Sequence, residues 1–139
     1  MLFRSQVLPL HGTGPLLAIV EGVGWARAVI WPGSGATERS VHLVQLAPSS
    51  QTVRLEHLTE GVYYVSAGWG KVVGDGKADQ SQIVRGSMVH VGAGTGYRFI
   101  AGAEGLEFFG GPCPPDQALY ASHDGQTEQP GQWQGQLEE

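Results

Sequence analysis

No window of this chain keeps apolar residues recurring at a helical period of 3.6, because glycine and proline interrupt it too often. The sequence carries 22 Gly and 8 Pro in 139 residues. What lies between them are short runs of alternating or β-branched character, which predict a nearly all-β chain. Many short strands divided by Gly-rich turns favour a sandwich or barrel, in which each strand edge is paired, covered or blunted. A chain of this length buries roughly two thirds of its unfolded surface as one domain and needs no staples. A single barrel domain over residues 1–121, with an N-terminal arm, and a polar tail over 122–139 is the expected organisation.

Taken in order, Met1 to Pro15 reads as a loose arm. Leu16 to Gly22 and Trp25 to Trp31 read as a hairpin about Gly22-Val23-Gly24, and Pro32 to Gly35 closes its second strand. Val41 to Leu46 alternates. Gly61 to Ala67, with its run VYYVSA, suits a half-buried strand that Lys71 to Val73 continues or pairs with, and Gly74-Asp75-Gly76 is a hairpin turn. Gln82 to Val84, Met88 to Val91, Tyr97 to Ala101 and Leu106 to Phe109 follow as strands. Pro112, Pro114 and Pro115 remove three ladder donors, so Gly110 to Pro115 is expected to run irregularly over the barrel. Asp116 to Tyr120 makes at most one helical turn.

The densest chemistry lies in Pro48 to Gly70, PSSQTVRLEHLTEGVYYVSAGWG. Read by twos, Val53, Leu55 and His57 share one face of a strand, and after the Thr59-Glu60-Gly61 turn Tyr63 and Val65 rejoin it. Tyr97 and Phe99 come to the same inner face by alternation. A pocket lined by Leu55, His57, Tyr63, Tyr97 and Phe99 is the expected ligand site.

Several function classes fall away. The net charge is −5, with scattered Lys and Arg, which is not the footprint a nucleic-acid backbone requires. Apolar runs such as Leu16 to Val20 fall far short of the about 20 residues that span a bilayer. The lone Cys113 forms no internal disulfide, and the N-terminus lacks a basic opening and long apolar core, so a soluble, reducing, cytoplasmic setting is expected. Gly92 to Gly96 is not a phosphate loop, since strand and not helix follows it. Ser122-His123-Asp124 are neighbours on a polar tail and do not make a triad. His90 alternates outward to a surface or dimer position, and His11 and His42 have no companion at metal-ligand spacing. Cys113 reads as a plain loop thiol. Trp25, Trp31 and Trp69 read as core or subunit contacts, and Trp133 as an anchor for the tail.

Val41 to Gly110 resembles the cupin family, small jelly-roll barrels that often hold a metal at their centre. The family's first motif is Gly, five residues, His-x-His, three or four residues, Glu, six residues, Gly. Anchored on Gly68, it places Leu55 and His57 at the two His positions and Gly61 at the Glu. The second motif, anchored on Gly86, places Gly92 and Gly94 at its Pro-x-Gly and Tyr97 at the metal His, with Ala101 at the Asn. The resemblance implies a cupin-type jelly-roll barrel, or double-stranded β-helix, and a homodimer. Its metal positions are degenerate: one imidazole and one phenol are a poor set for a divalent transition metal, so no cofactor is expected. A rearranged shell would use His57 with Glu60 bent in from the turn.

His57 then has two readings, an acid–base or ligand-orienting group, or a remnant hydrogen-bonded inside the barrel. Tyr97 either donates to a ligand oxygen or to His57, or fills the space a metal would take. If the pocket is catalytic, proton transfer of the isomerase, cyclase or lyase kind is expected, with His57 as base and Tyr97 as donor. If it is not, the chain is a structural or sensing dimer module.

Overall fold

The computed structural model describes residues 6–9 and 14–121. Eight strands join in one antiparallel sheet that curls into a nearly closed barrel: β1 (Val20–Glu21), β2 (Gly24–Ile30), β3 (Val41–Leu46), β4 (Gln51–Thr52), β5 (Glu60–Gly74), β6 (Gln80–Val84), β7 (Met88–Val91) and β8 (Tyr97–Cys113). The pairing order is β1, β4, β8, β3, β2, and β5 joins β8 on one side and β6 and β7 on the other. Single turns of 3-10 helix occupy Pro32–Ser34 and Gln117–Tyr120. Among the described residues no helix is long and apolar enough to cross a membrane.

β5 and β8 form the spine. Each spans what the sequence divides into two strands, and both remain continuous because they bend together at glycines. Gly68 and Gly105 have φ of 78° and 84°, and a Cβ on Gly68 would lie 2.2 Å from the Gly105 carbonyl oxygen. Only side-chain-free residues can cross that closely. The bend lets Tyr97 to Ala101 pair with Gly70 to Gly74 while Leu106 to Cys113 pair with Glu60 to Gly68.

Two expectations need correction. Leu16 to Gly22 is no full strand: Leu16 bridges Arg27, Leu17 N–H donates to Ala26, and Val20–Glu21 turn to β4 instead of β2. Pro15 lacks a donor, and Val53 N–H claims the Ile19 carbonyl, which splits the segment between two partners. Nor does the proline-rich stretch leave the barrel at Gly110. β8 runs to Cys113 with Pro112 opposite Gly61. Pairing with β3 stops at Gly110, so Pro112 sits where β8 has β5 on one side only, an edge position that tolerates proline.

Alternation fills the interior. Phe99 and Phe108, both essentially fully buried, stack with ring centroids 4.0 Å apart, and Tyr63 packs edge-on against each. Val44, Leu46, Val65 and Leu106 complete this layer of the core. The Gly74–Asp75–Gly76 turn joins β5 to β6 as expected, closed by Gly74 N–H on the Asp79 carbonyl. His11, Trp133, Ser122-His123-Asp124, the tail and most of the arm lie outside the described residues.

Candidate functional site

Leu55, His57, Tyr63, Tyr97 and Phe99 are neighbours in the barrel core, but of the five only Leu55 and His57 line one cleft together, while Tyr63 and Tyr97 each border a different one. Residues 53–57 pair with β8 through one bridge, in which Leu55 and Tyr97 exchange N–H···O bonds of 2.7 and 2.8 Å. This fixes the period-2 face: Leu55 and His57 are buried, while Arg54 and Glu56 face out as an ion pair that Asp75 joins. The His57 ring meets Tyr97 edge-on at 5.9 Å, and Tyr97 packs on Phe99 at 6.0 Å. The Tyr63 and Tyr97 hydroxyls are hydrogen-bonded to each other. Tyr97 therefore bonds Tyr63 in place of His57.

The partner of His57 comes from elsewhere. After the proline-rich stretch, Asp116 caps the last 3-10 turn, its Oδ1 accepting from Ala118 N–H at 3.0 Å. Its other oxygen, Oδ2, lies 2.5 Å from His57 Nδ1. The imidazole is 4% exposed and the carboxylate 24%, so the carboxylate forms the outer end of the pair. His57 Nε2 is buried and has no hydrogen-bond partner among the described residues. A cleft of about 270 Å³ between the 53–57 segment and the 117–120 turn reaches the pair, walled by Ile19, Val53, Leu55 and Leu119.

A second histidine pair lies behind the first. His42, from β3, meets the Tyr120 hydroxyl through Nε2 at 2.7 Å. Burial, helped by the nearby His57, lowers the His42 pKa to about 3, so this ring is neutral at physiological pH. Tyr120 also packs on Trp31 at 5.1 Å. The 116–120 segment is thus fastened at both ends, by Asp116 on His57 and by Tyr120 on His42. Burial pushes the Tyr97 hydroxyl up to about 12 and holds Tyr63 well above the ordinary phenol value, so both phenols stay protonated near neutral pH.

Glu60 does not bend inward. It is exposed on β5, and its Oε1 accepts from His90 Nε2 at 2.7 Å. His90 is at the surface, as its alternation requires. Among the described residues no three His, Cys, Asp or Glu side chains gather as a ligand cluster. With no donor at Leu55 or Gly61 and Glu60 turned away, the set does not fit a first-row divalent ion. A larger cleft of about 800 Å³ runs along Leu58, Val62, Tyr64, Met88 and Phe109 and is bordered by Tyr63, while neither His57 nor Asp116 lines it.

Asp116, His42 and Tyr120 escape the sequence reading. The only local trace of Asp116 is that it suits the N-cap of a short turn. Nothing in the chain announces a reach of 59 residues back to His57.

Strand order, the continuous β5–β8 spine and an inward histidine beside the Leu55–Tyr97 bridge define a jelly-roll barrel of the cupin fold. Solved structures agree. A cupin-like protein from Thermotoga maritima superposes with a TM-score of 0.62 at 19% identity, over 73% of this chain and 74% of that one. A predicted oxalate decarboxylase from the same organism gives 0.61 at 19%, over 76% and 96%. The polyketide cyclase RemF from Streptomyces resistomycificus gives 0.58 at 17%, over 82% and 80%. At such identities the likeness establishes the fold. No family model and no curated protein matches the chain.

Proposed function

We propose that the barrel binds a small molecule beside His57 and moves a proton on it, in a step of the isomerase, cyclase or lyase kind. The observation that carries this reading is the His57–Asp116 pair with its buried, unpartnered Nε2. A carboxylate accepting from Nδ1–H fixes the tautomer and leaves the lone pair at Nε2, which is the state of a general base. The same carboxylate stabilises the imidazolium formed when Nε2 takes a proton. The new Nε2–H then returns that proton to a different atom of the ligand, as an isomerisation or elimination demands. Negative charge that develops on a ligand oxygen needs a donor, and the Tyr63–Tyr97 hydroxyls beside the His57 ring supply one. The likeness to a barrel named as a polyketide cyclase supports a small organic ligand.

The test is proton exchange. A panel of small enolisable ketones, keto acids and β-dicarbonyls is incubated with the protein in D2O, and loss of α-protons is followed by NMR. Exchange by the wild type that His57→Gln abolishes is the expected result. Exchange unchanged in His57→Gln rules out this base.

A second reading, a non-catalytic module that pairs with another copy of itself, is favoured by the larger cleft. Leu58, Val62 and Met88 there are 92%, 44% and 65% exposed, a patch that commonly marks an interaction site. Sedimentation of the wild type beside Val62→Asp/Met88→Asp separates this reading: a dimer that the double variant breaks supports it, and a monomer at all concentrations removes it.

A further inference from the structure

We propose that the place where barrels of this fold hold a metal is, in this chain, a built metal-free hydrogen-bond site made by the Tyr63 and Tyr97 hydroxyls. Tyr97 stands at the centre of the positions concerned. It is bridged to Leu55 through the backbone, lies edge-on to the His57 ring at 5.9 Å, and approaches Gly61. A Cβ on Gly61 would sit 3.2 Å from Tyr63 Cε2 and 3.6 Å from each of the two hydroxyls. The space into which a side chain at 61 would extend is therefore already filled by the phenol pair. Leu55 adds a hydrocarbon wall where a donor would be needed.

The replacement is chemically coherent. Metal ligands bind in their deprotonated form, and a phenol enclosed with Phe99 and Phe108 gives up its proton reluctantly. Two hydroxyls joined by one hydrogen bond use one of their two hydrogens. The second hydroxyl hydrogen is the one this proposal assigns to a ligand oxygen. The site thus offers a neutral O–H donor where a metal would offer a Lewis acid, and it fits a ligand bearing a carbonyl or enolic oxygen.

The experiment uses the untagged full chain, incubated separately with Co2+ and Zn2+, desalted, and assayed for metal by elemental mass spectrometry. The wild type is expected to retain neither ion. The Leu55→His/Tyr97→His variant sets two imidazoles beside His57 and is expected to retain near-stoichiometric metal, lost again when His57→Gln is added. Near-stoichiometric metal in the wild type that His57→Gln abolishes overturns the proposal. So does a double variant that is folded by circular dichroism yet binds no metal, since the three positions would then not surround one place. Should the double variant not fold, the wild type's ultraviolet spectrum decides: a tyrosinate band raised by Co2+ at neutral pH refutes the phenol pair, and its absence upholds it.

Discussion

His42 should make this protein acid-labile well above the pH at which carboxylates protonate. The ring is 3% exposed, and its pKa falls from 6.5 to about 3 because burial disfavours the cation and His57 adds repulsion. A pKa depressed in the folded state means that the unfolded chain binds the proton first. The stability due to neutral His42 is full above pH 6.5, is lost progressively as pH falls, and is exhausted near pH 3. pH 5 lies about 1.5 pH units below the unfolded ring's pKa and still above the folded ring's, so protonation of the unfolded ring alone costs about 2 kcal/mol at 1.36 kcal/mol per pH unit. His42→Gln removes the titration while keeping an amide within reach of the Tyr120 hydroxyl. Urea unfolding of both proteins from pH 8 to pH 5 is the assay. The wild type is expected to lose about 2 kcal/mol more than the variant over that interval. Parallel stability–pH curves would refute the burial argument.

Other expectations follow from the same geometry. Asp116→Asn retains Oδ1 for the Ala118 cap but removes the charge on His57, so any His57-dependent exchange rate should fall by about two orders of magnitude or more while the thermal midpoint moves little. Gly68→Ala places a Cβ 2.2 Å from the Gly105 carbonyl at positive φ. It should cost well over 1 kcal/mol by denaturant titration, with an effect near zero counting against the paired-glycine bend. Phe99→Ala empties the stack on Phe108 and should cost about 3–5 kcal/mol in the same titration.

The inner face was legible because strand alternation is strict. Once Leu55 to His57 and Tyr97 to Phe99 are strands, the period of two alone puts Leu55, His57, Tyr97 and Phe99 in one interior. The barrel was legible from glycine punctuation and from motif spacing that survives the loss of the motif residues themselves. The continuity of β5 and β8 was hidden, since glycines that end strands elsewhere here let two strands bend in step, and only the facing of Gly68 with Gly105 tells the cases apart. Asp116 was hidden for a different reason. Its bond to His57 depends on where the chain after Pro115 falls across the barrel end, and that is set by packing of Tyr120 on Trp31 and His42. The same packing turned His42, a residue without sequence companions, into a buried partner of Tyr120.

The central claim is that Asp116 holds His57 so that Nε2 is the free base, and long-range proton–nitrogen NMR of the 15N-labelled histidines reads this directly. In the neutral ring, a protonated Nδ1 and a bare Nε2 are predicted for His57 in the wild type, with the preference weakened in Asp116→Asn. A His57 protonated at Nε2 with a bare Nδ1 would contradict the account.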